Sequence, residues 1–150
     1  MSVLIDSPVG PIGLSGDLSV ITALDWGHPG SLPEGPLADA SAEQLSEYFA
    51  GERTEFDLPL APRGSAFQQK FYAALQAIPF GQTRTYGDLA EELGVSAQAI
   101  GQACGANPIA ILIPCHRVLA ANGLGGFSGA GGVEAKVALL KLEGAASLLL

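Results

Sequence analysis

The apolar positions of this chain gather into short runs near its start and into helical stripes farther along. Val3-Leu4-Ile5 and Ile12-Gly13-Leu14 flank the turn-forming segment Ser7-Pro8-Val9-Gly10-Pro11, a pattern that predicts a β-hairpin. Val20-Ile21-Thr22-Ala23-Leu24 is a third candidate strand, and residues 27–39, rich in Gly, Pro and acids, read as loop. Ser41 with Gln44 three residues on has the form of a capping box and predicts a helix start. Leu45, Tyr48 and Phe49 then share one helical face, and Gly51 stops it. Thr54 to Leu58 reads as an edge strand, and Pro59, Pro62 and Gly64 as a linker.

Beyond the linker the period becomes helical. Ser65 and Gln68 form a second capping box, followed by Phe67, Phe71, Ala74, Leu75 and Ile78 as one apolar stripe that ends at Pro79-Phe80-Gly81. Thr85 caps a further helix with Leu89, Ala90 and Leu93 inward and Gly94 closing it; Ser96 starts another that runs to about Cys104. Two helices joined through Gly94-Val95 make a helix-turn-helix candidate. Its second helix, Ser96 to Ala106, holds no Lys or Arg. Small residues there suit close approach to a nucleic-acid backbone in the minor groove, and they equally suit tight helix packing.

Charge refines this division. The 150 residues carry a net charge of −8 and a pI of about 4.5, an unpromising balance for a partner made of phosphates. The excess is local. Residues 1–64 hold ten acidic residues against Arg53 and Arg63, whereas residues 65–150 hold five of each sign. The second part is neutral and free to meet a phosphate backbone. An apolar content of 48% is enough for a core. No run is long enough to span a bilayer, and the first residues lack a basic region followed by an apolar one, so neither a membrane anchor nor a secretory leader is expected. Two cysteines, Cys104 and Cys115, and two histidines, His28 and His116, suggest a reducing, cytoplasmic setting, with no metal site and no cofactor.

The chemistry centres on Ile113-Pro114-Cys115-His116-Arg117-Val118. A cysteine becomes a nucleophile on losing its proton, and a neighbouring imidazole can take it. Glu143, on a predicted helix from Glu134 to Glu143 that carries Lys136 and Leu140 on the same face, could orient that imidazole. By residue type alone Cys115 also reads as a small buried hydrophobe.

In order, Asn107-Pro108, Ile113 to Val118, Gly126-Phe127-Ser128-Gly129, Lys136 and Leu139 to Glu143 resemble the O6-alkylguanine-DNA alkyltransferases (methylated-DNA-protein-cysteine methyltransferases). Ile78 to Thr83, Thr85 to Ala90, Ser7 to Gly10 and Gln44 to Gly51 extend the resemblance over almost the whole chain. It implies a small α/β domain over residues 1–62, antiparallel strands plus a helix and ribonuclease H-like. An all-α, winged-helix-like domain with a helix-turn-helix would follow over 63–150.

It also implies a monomeric single-turnover repair protein acting on double-stranded DNA that carries O6-alkylguanine, with O4-alkylthymine as a second substrate. The damaged nucleotide is flipped out through the minor groove, and Cys115 takes the alkyl group. His116, through a water, receives the thiol proton, and Glu143 orients it. Tyr86 helps protonate the departing guanine, Asn107 braces the turn around the site, Ser128 offers a hydrogen bond near the guanine oxygen, and Lys136 lies close by. Arg117 is expected to brace the fold by an ion pair. Gln98, Ala99 and Gly101 fall on the DNA-facing helix, where Gln98-Ala99-Ile100-Gly101 stands in place of Arg-Ala-Val-Gly. Gln98 thus replaces the arginine that fills the gap left by the flipped base. Phe127 replaces a common tyrosine and Ala110 a proline. The alternative is a lesion-binding, non-transferring relative, but those lack the reactive cysteine, which argues against it here.

Overall fold

The computed structural model describes residues 4–120 and 132–145. Strands β1 (Leu4–Ile5), β2 (Ile12–Gly16) and β3 (Ile21–Trp26) form an antiparallel sheet in that order, with Leu4 opposite Gly13 and Leu14 opposite Leu24. The hairpin turn closes with Gly10 N donating to Ser7 O at 3.0 Å. Ile12, Leu14, Ile21 and Leu24 are buried beneath the sheet. Gly13 is required for space: a Cβ there would lie 2.2 Å from His28 O and 2.4 Å from Gly30 N, so the following loop can lie directly on the strand.

Two expectations for this half are corrected. Helix α1 spans Pro36–Phe49, beginning five residues before Ser41. Pro36 suits the first turn because its missing N–H would have no partner there, and Asp39 adds favourable charge. Ser41 is buried inside the helix, its hydroxyl donating to Leu37 O at 2.7 Å. Gln44 therefore caps nothing; it clasps the main chain of Asp57, donating to its carbonyl at 3.2 Å and accepting from its N–H at 2.8 Å. That clasp occupies the groups an edge strand over 54–58 would need, and no such strand forms. The chain meets the sheet farther on, where Ile21 N donates to Pro59 O at 2.9 Å and Ala61 N to Ile21 O at 2.8 Å.

The second half follows its capping signals closely. Helix α2 (Ala66–Gln76) starts with the reciprocal Ser65–Gln68 box, and Phe71, Tyr72 and Leu75 are buried. Strand β4 (Arg84–Thr85) leads into α3 (Tyr86–Leu93), where Thr85 and Asp88 cap reciprocally and Gly94 ends the helix at φ 70°. Helix α4 (Ala97–Gly105) is capped by Ser96, whose hydroxyl accepts from Ala99 N at 3.1 Å. Helices α3 and α4 pack together as the helix-turn-helix.

A 3-10 turn (Cys115–Arg117) precedes β5 (Val118–Leu119), which pairs in parallel with β4, and α5 (Val133–Leu142) packs on that turn. One apolar cluster runs from Ile12 and Leu45 in the first half to Phe71, Ile100 and Ile113 in the second, and Leu24 N donates across to Pro108 O at 2.8 Å. Among the described residues no helix is long and apolar enough to cross a membrane.

Because Ser65 satisfies a terminal N–H of α2 at an exposed position, Ser65→Ala should cost about 1 kcal/mol of stability. Urea titration checks this; an unchanged midpoint would show the cap to be energetically idle.

Candidate active site

The segment leading to Cys115 is tightly wound and buried. Ile109, Ala110, Ile111, Leu112 and Ile113 are all inside. Ile111 lies at φ 73°, a left-handed conformation that is rare and costly for a β-branched residue. Local hydrogen bonds hold it: Leu112 N to Ala110 O and Ile113 N to Ile109 O, both 2.9 Å, and Cys115 N to Ile113 O, 2.8 Å. Asn107 clamps both ends of the loop, its Nδ2 donating to Ile113 O at 2.9 Å and its Oδ1 accepting from Ile109 N at 3.0 Å. Cys115 is thereby fixed at the start of the 3-10 turn, 4% exposed. Burial pushes its thiol up from the ordinary range, partly countered by a hydrogen bond with the Asn107 side chain and by the Lys136 ammonium. At rest it is a thiol, in need of a base.

An imidazole able to take a proton lies next to it in the chain. The 3-10 turn projects His116 and Arg117 toward the C-terminal end of α5, where Glu143 sits at the cap. His116 Nε2 is 2.7 Å from Glu143 Oε2. Arg117 donates from Nε to Oε1 at 2.8 Å, from Nη2 to Oε2 at 3.0 Å, and from Nη1 to Ile78 O at 2.6 Å. Tyr48, from α1, donates its hydroxyl to Oε2 at 2.5 Å. Burial would push the Glu143 carboxyl up, but the hydrogen bonds from His116 and Arg117 outweigh it and hold the group at about 2. Burial lowers the basicity of His116 despite Glu143. The resting state is thus a carboxylate beside a neutral imidazole, with Nε2–H donating. Nδ1 is left bare, with no hydrogen-bond partner among the described residues.

The other expected site residues fall in two places. Lys136 is fully buried, donating to Val118 O at 2.7 Å and lying 5.8 Å from the Tyr86 ring centroid. Tyr86 is half-buried at the first position of α3. Gln98, Ala99 and Gly101 lie apart on α4, with Gln98 and Gly101 exposed and Ala99 half-buried. Among the described residues a Cβ at Gly101 would meet nothing within 4 Å, so packing against them gives no reason for a glycine there. The packing explanation does hold at Ala103, which is buried. Ser128 and its neighbour Phe127 lie outside the described residues. Cys104, on the same helix, has its thiol pushed up to about 12 by burial and is a poor nucleophile. Tyr48 escaped sequence reading, since its position in an apolar helical stripe signals a core ring and gives no hint of its hydroxyl. Among the described residues no three metal-ligating side chains come together.

Similarity to known proteins extends over nearly the whole chain. Residues 2–62 match the profile described as "6-O-methylguanine DNA methyltransferase, ribonuclease-like domain", and residues 66–145 match "6-O-methylguanine DNA methyltransferase, DNA binding domain". The chain is 46% identical over 149 residues to a methylated-DNA-protein-cysteine methyltransferase of Mycobacterium tuberculosis, covering 93% of this chain and 89% of the relative. It is 42% identical over 152 residues to the Methanosarcina acetivorans protein of the same name, covering 94% and 96% respectively. The crystal structure of Mycobacterium tuberculosis OGT in complex with DNA superposes with a TM-score of 0.84 at 46% identity, covering 95% of this chain and 92% of that one.

Two outcomes follow from the geometry. Acidification should destabilise the fold in two stages. His116, kept neutral by burial, withdraws stability below its ordinary value of 6.5. Glu143 contributes fully above 4.5 and loses its contribution, about 3 kcal/mol, as the pH falls to about 2. Denaturation at a series of pH values should show this, and Glu143→Gln should be less stable at neutral pH yet flatter across the lower window. An unaltered slope in that variant would contradict the assignment. Separately, Gly101→Ala should stabilise the fold by about 1 kcal/mol, read as a higher denaturation midpoint; a lower midpoint would mean the glycine serves the fold after all.

Proposed function

The chain belongs to the 6-O-methylguanine-DNA methyltransferase family, the methylated-DNA-protein-cysteine methyltransferases, and we propose that it repairs DNA by moving an alkyl group from O6 of guanine irreversibly onto its own Cys115. One observation carries the assignment of roles. A neutral His116 is pinned through Nε2 to a charged Glu143, which leaves a bare Nδ1 lone pair on the residue adjoining a buried thiol. This is the arrangement a general base needs.

The reaction is a single displacement. The Cys115 proton passes through a water to His116 Nδ1, and the imidazolium is stabilised by Glu143. The thiolate attacks the alkyl carbon, a C–S bond forms, the C–O6 bond breaks, and the electron pair stays with guanine. Tyr86 supplies the proton the departing base takes and regains one from solvent. The thioether does not hydrolyse, so each molecule acts once. Asn107 holds the reactive loop in register, Lys136 favours the thiolate electrostatically, and Ser128 assists at the guanine oxygen. Because the alkyl carbon is unreachable inside a base stack, the nucleotide must be flipped into the site. The domain boundary falls at residues 62–63, and the working form is a cytoplasmic monomer.

Helix α4 is the DNA-facing element. An exposed helical glycine with open space around it costs about 1 kcal/mol relative to alanine, and close approach of a sugar-phosphate backbone supplies a reason for keeping Gly101. Gln98 is exposed where it can enter the stack and hydrogen-bond an orphaned base, though without the charge an arginine would bring.

Incubation with duplex DNA containing O6-methylguanine should add one CH2 to the intact mass, located on Cys115 by peptide mapping and absent in Cys115→Ser. An unmodified chain after stoichiometric exposure would leave only lesion binding. Gln98→Arg should tighten DNA binding and steepen its dependence on salt by about one counterion; identical binding curves across salt would remove Gln98 from the interface.

A further inference from the structure

The carboxylate that orients His116 is reached from the other end of the chain. Tyr48 lies 95 positions from Glu143 in sequence, on α1, and its hydroxyl donates to Oε2. Its ring is fully buried and packs against Phe49, Phe56 and Phe80, with centroids 5.3, 5.1 and 6.2 Å away. The phenol cannot act as an acid here. Burial and the adjacent carboxylate push its ionisation far above the physiological range, so it stays a donor.

What it contributes follows from how Glu143 is already held. Arg117 grips the carboxylate with two donors, one to each oxygen, at 2.8 and 3.0 Å, a planar fork that fixes the position and tilt of the group. Tyr48 adds little to that placement. Its effect is on charge, because Oε2 also accepts from His116 at 2.7 Å. Donors sharing one anionic oxygen compete for its electron density, and a hydrogen bond to the charged form draws that charge away from its other partners.

We propose that Tyr48 is a positioning residue acting through Glu143: by occupying Oε2 it limits the charge His116 feels, and so keeps Cys115 protonated until substrate is seated. The proposal rests on the assignment of His116 as the base for Cys115. It gives the N-terminal half a direct part in setting the reactivity of a cysteine in the C-terminal half. The ionisable groups facing His116 are Glu143, Arg117 and Lys136, and those facing Cys115 are Lys136, Cys104 and Tyr72. Of these, Glu143 is the one Tyr48 touches with its hydroxyl in a way that reaches His116.

The test is the pH dependence of Cys115 labelling by iodoacetamide, followed by peptide mapping to separate it from Cys104, on the full chain without DNA. Removing the hydroxyl in Tyr48→Phe strengthens the pull of Oε2 on the imidazole and favours the imidazolium-thiolate pair. The midpoint should move about half a unit lower, with labelling below it about three-fold faster. Placing 3-fluorotyrosine at position 48 keeps the ring, the hydrogen bond and the fold but makes a stronger donor, so its midpoint should move higher.

Opposite displacements support the proposal; a residue that served packing alone would move neither midpoint. Coincident midpoints for both variants and the parent, or a rise in Tyr48→Phe, overturn it. Should Tyr48→Phe fail to fold, the fluorinated protein decides the matter by itself. Parallel assays with O6-methylguanine DNA keep the two readings apart. Opposite shifts without methyl transfer would retain the tuning role and remove the repair function. Methyl transfer with unmoved midpoints would do the reverse.

Discussion

A carboxylate taken out of water costs several kcal/mol unless donors replace the water it loses, and the Glu143 carboxylate meets that demand with donors from two distant parts of the chain. His116 and Arg117 come from the turn after the reactive cysteine, Tyr48 from the first helix, and Glu143 itself closes α5. Glu143 also stands at a helix C-terminus, where the helix dipole disfavours an anion, so the arginine is needed on two counts. The demand works in reverse as well. Each donor buried around Glu143 needs an acceptor, and Arg117 also donates from Nη1 to Ile78 O just beyond α2. The anion therefore ties α1, the segment after α2, the active-site turn and α5 to one point.

In the proposed function the reactivity of Cys115 is a consequence of that point. A buried thiol is a weak nucleophile, and in that reading the charge on Glu143 acts on it through the His116 ring. The ring can relay because burial keeps it neutral and Glu143 fixes its tautomer. The second constraint is conformational. A left-handed isoleucine and a two-ended asparagine clamp set the loop so that the cysteine begins the turn. Strain at Ile111 persists because the surrounding core leaves the loop no alternative.

The surface that meets substrate obeys different rules. Helix α4 offers no cation, and the proposed contact at its exposed Gly101 comes at the expense of helix stability. The excess of negative charge lies in the first 64 residues and is felt across roughly 8 Å at physiological salt. In the proposed function, affinity for DNA is therefore governed by shape at α4 more than by charge.

Local rules were legible in the sequence. The Ser65 and Thr85 caps, the Gly94 stop and the hairpin around Gly10 depend on neighbours within four residues, and the residue types alone determined them. The Cys115-His116 pair and the family likeness were legible for the same reason, being contiguous. Where a side chain had a distant partner, local pattern misled. Gln44 resembled a cap but clasps Asp57, and that clasp removed the strand expected at 54–58. Ser41 resembled a helix start, yet Pro36 provides an earlier one. Tyr48 looked like a core ring, and nothing local in the sequence marks Lys136 as buried. Hydrogen bonds between residues dozens of positions apart leave no periodic trace. The sequence by itself determined which chemistry Cys115 could perform, while only the tertiary structure decided how the charge of Glu143 is shared among the groups that control it.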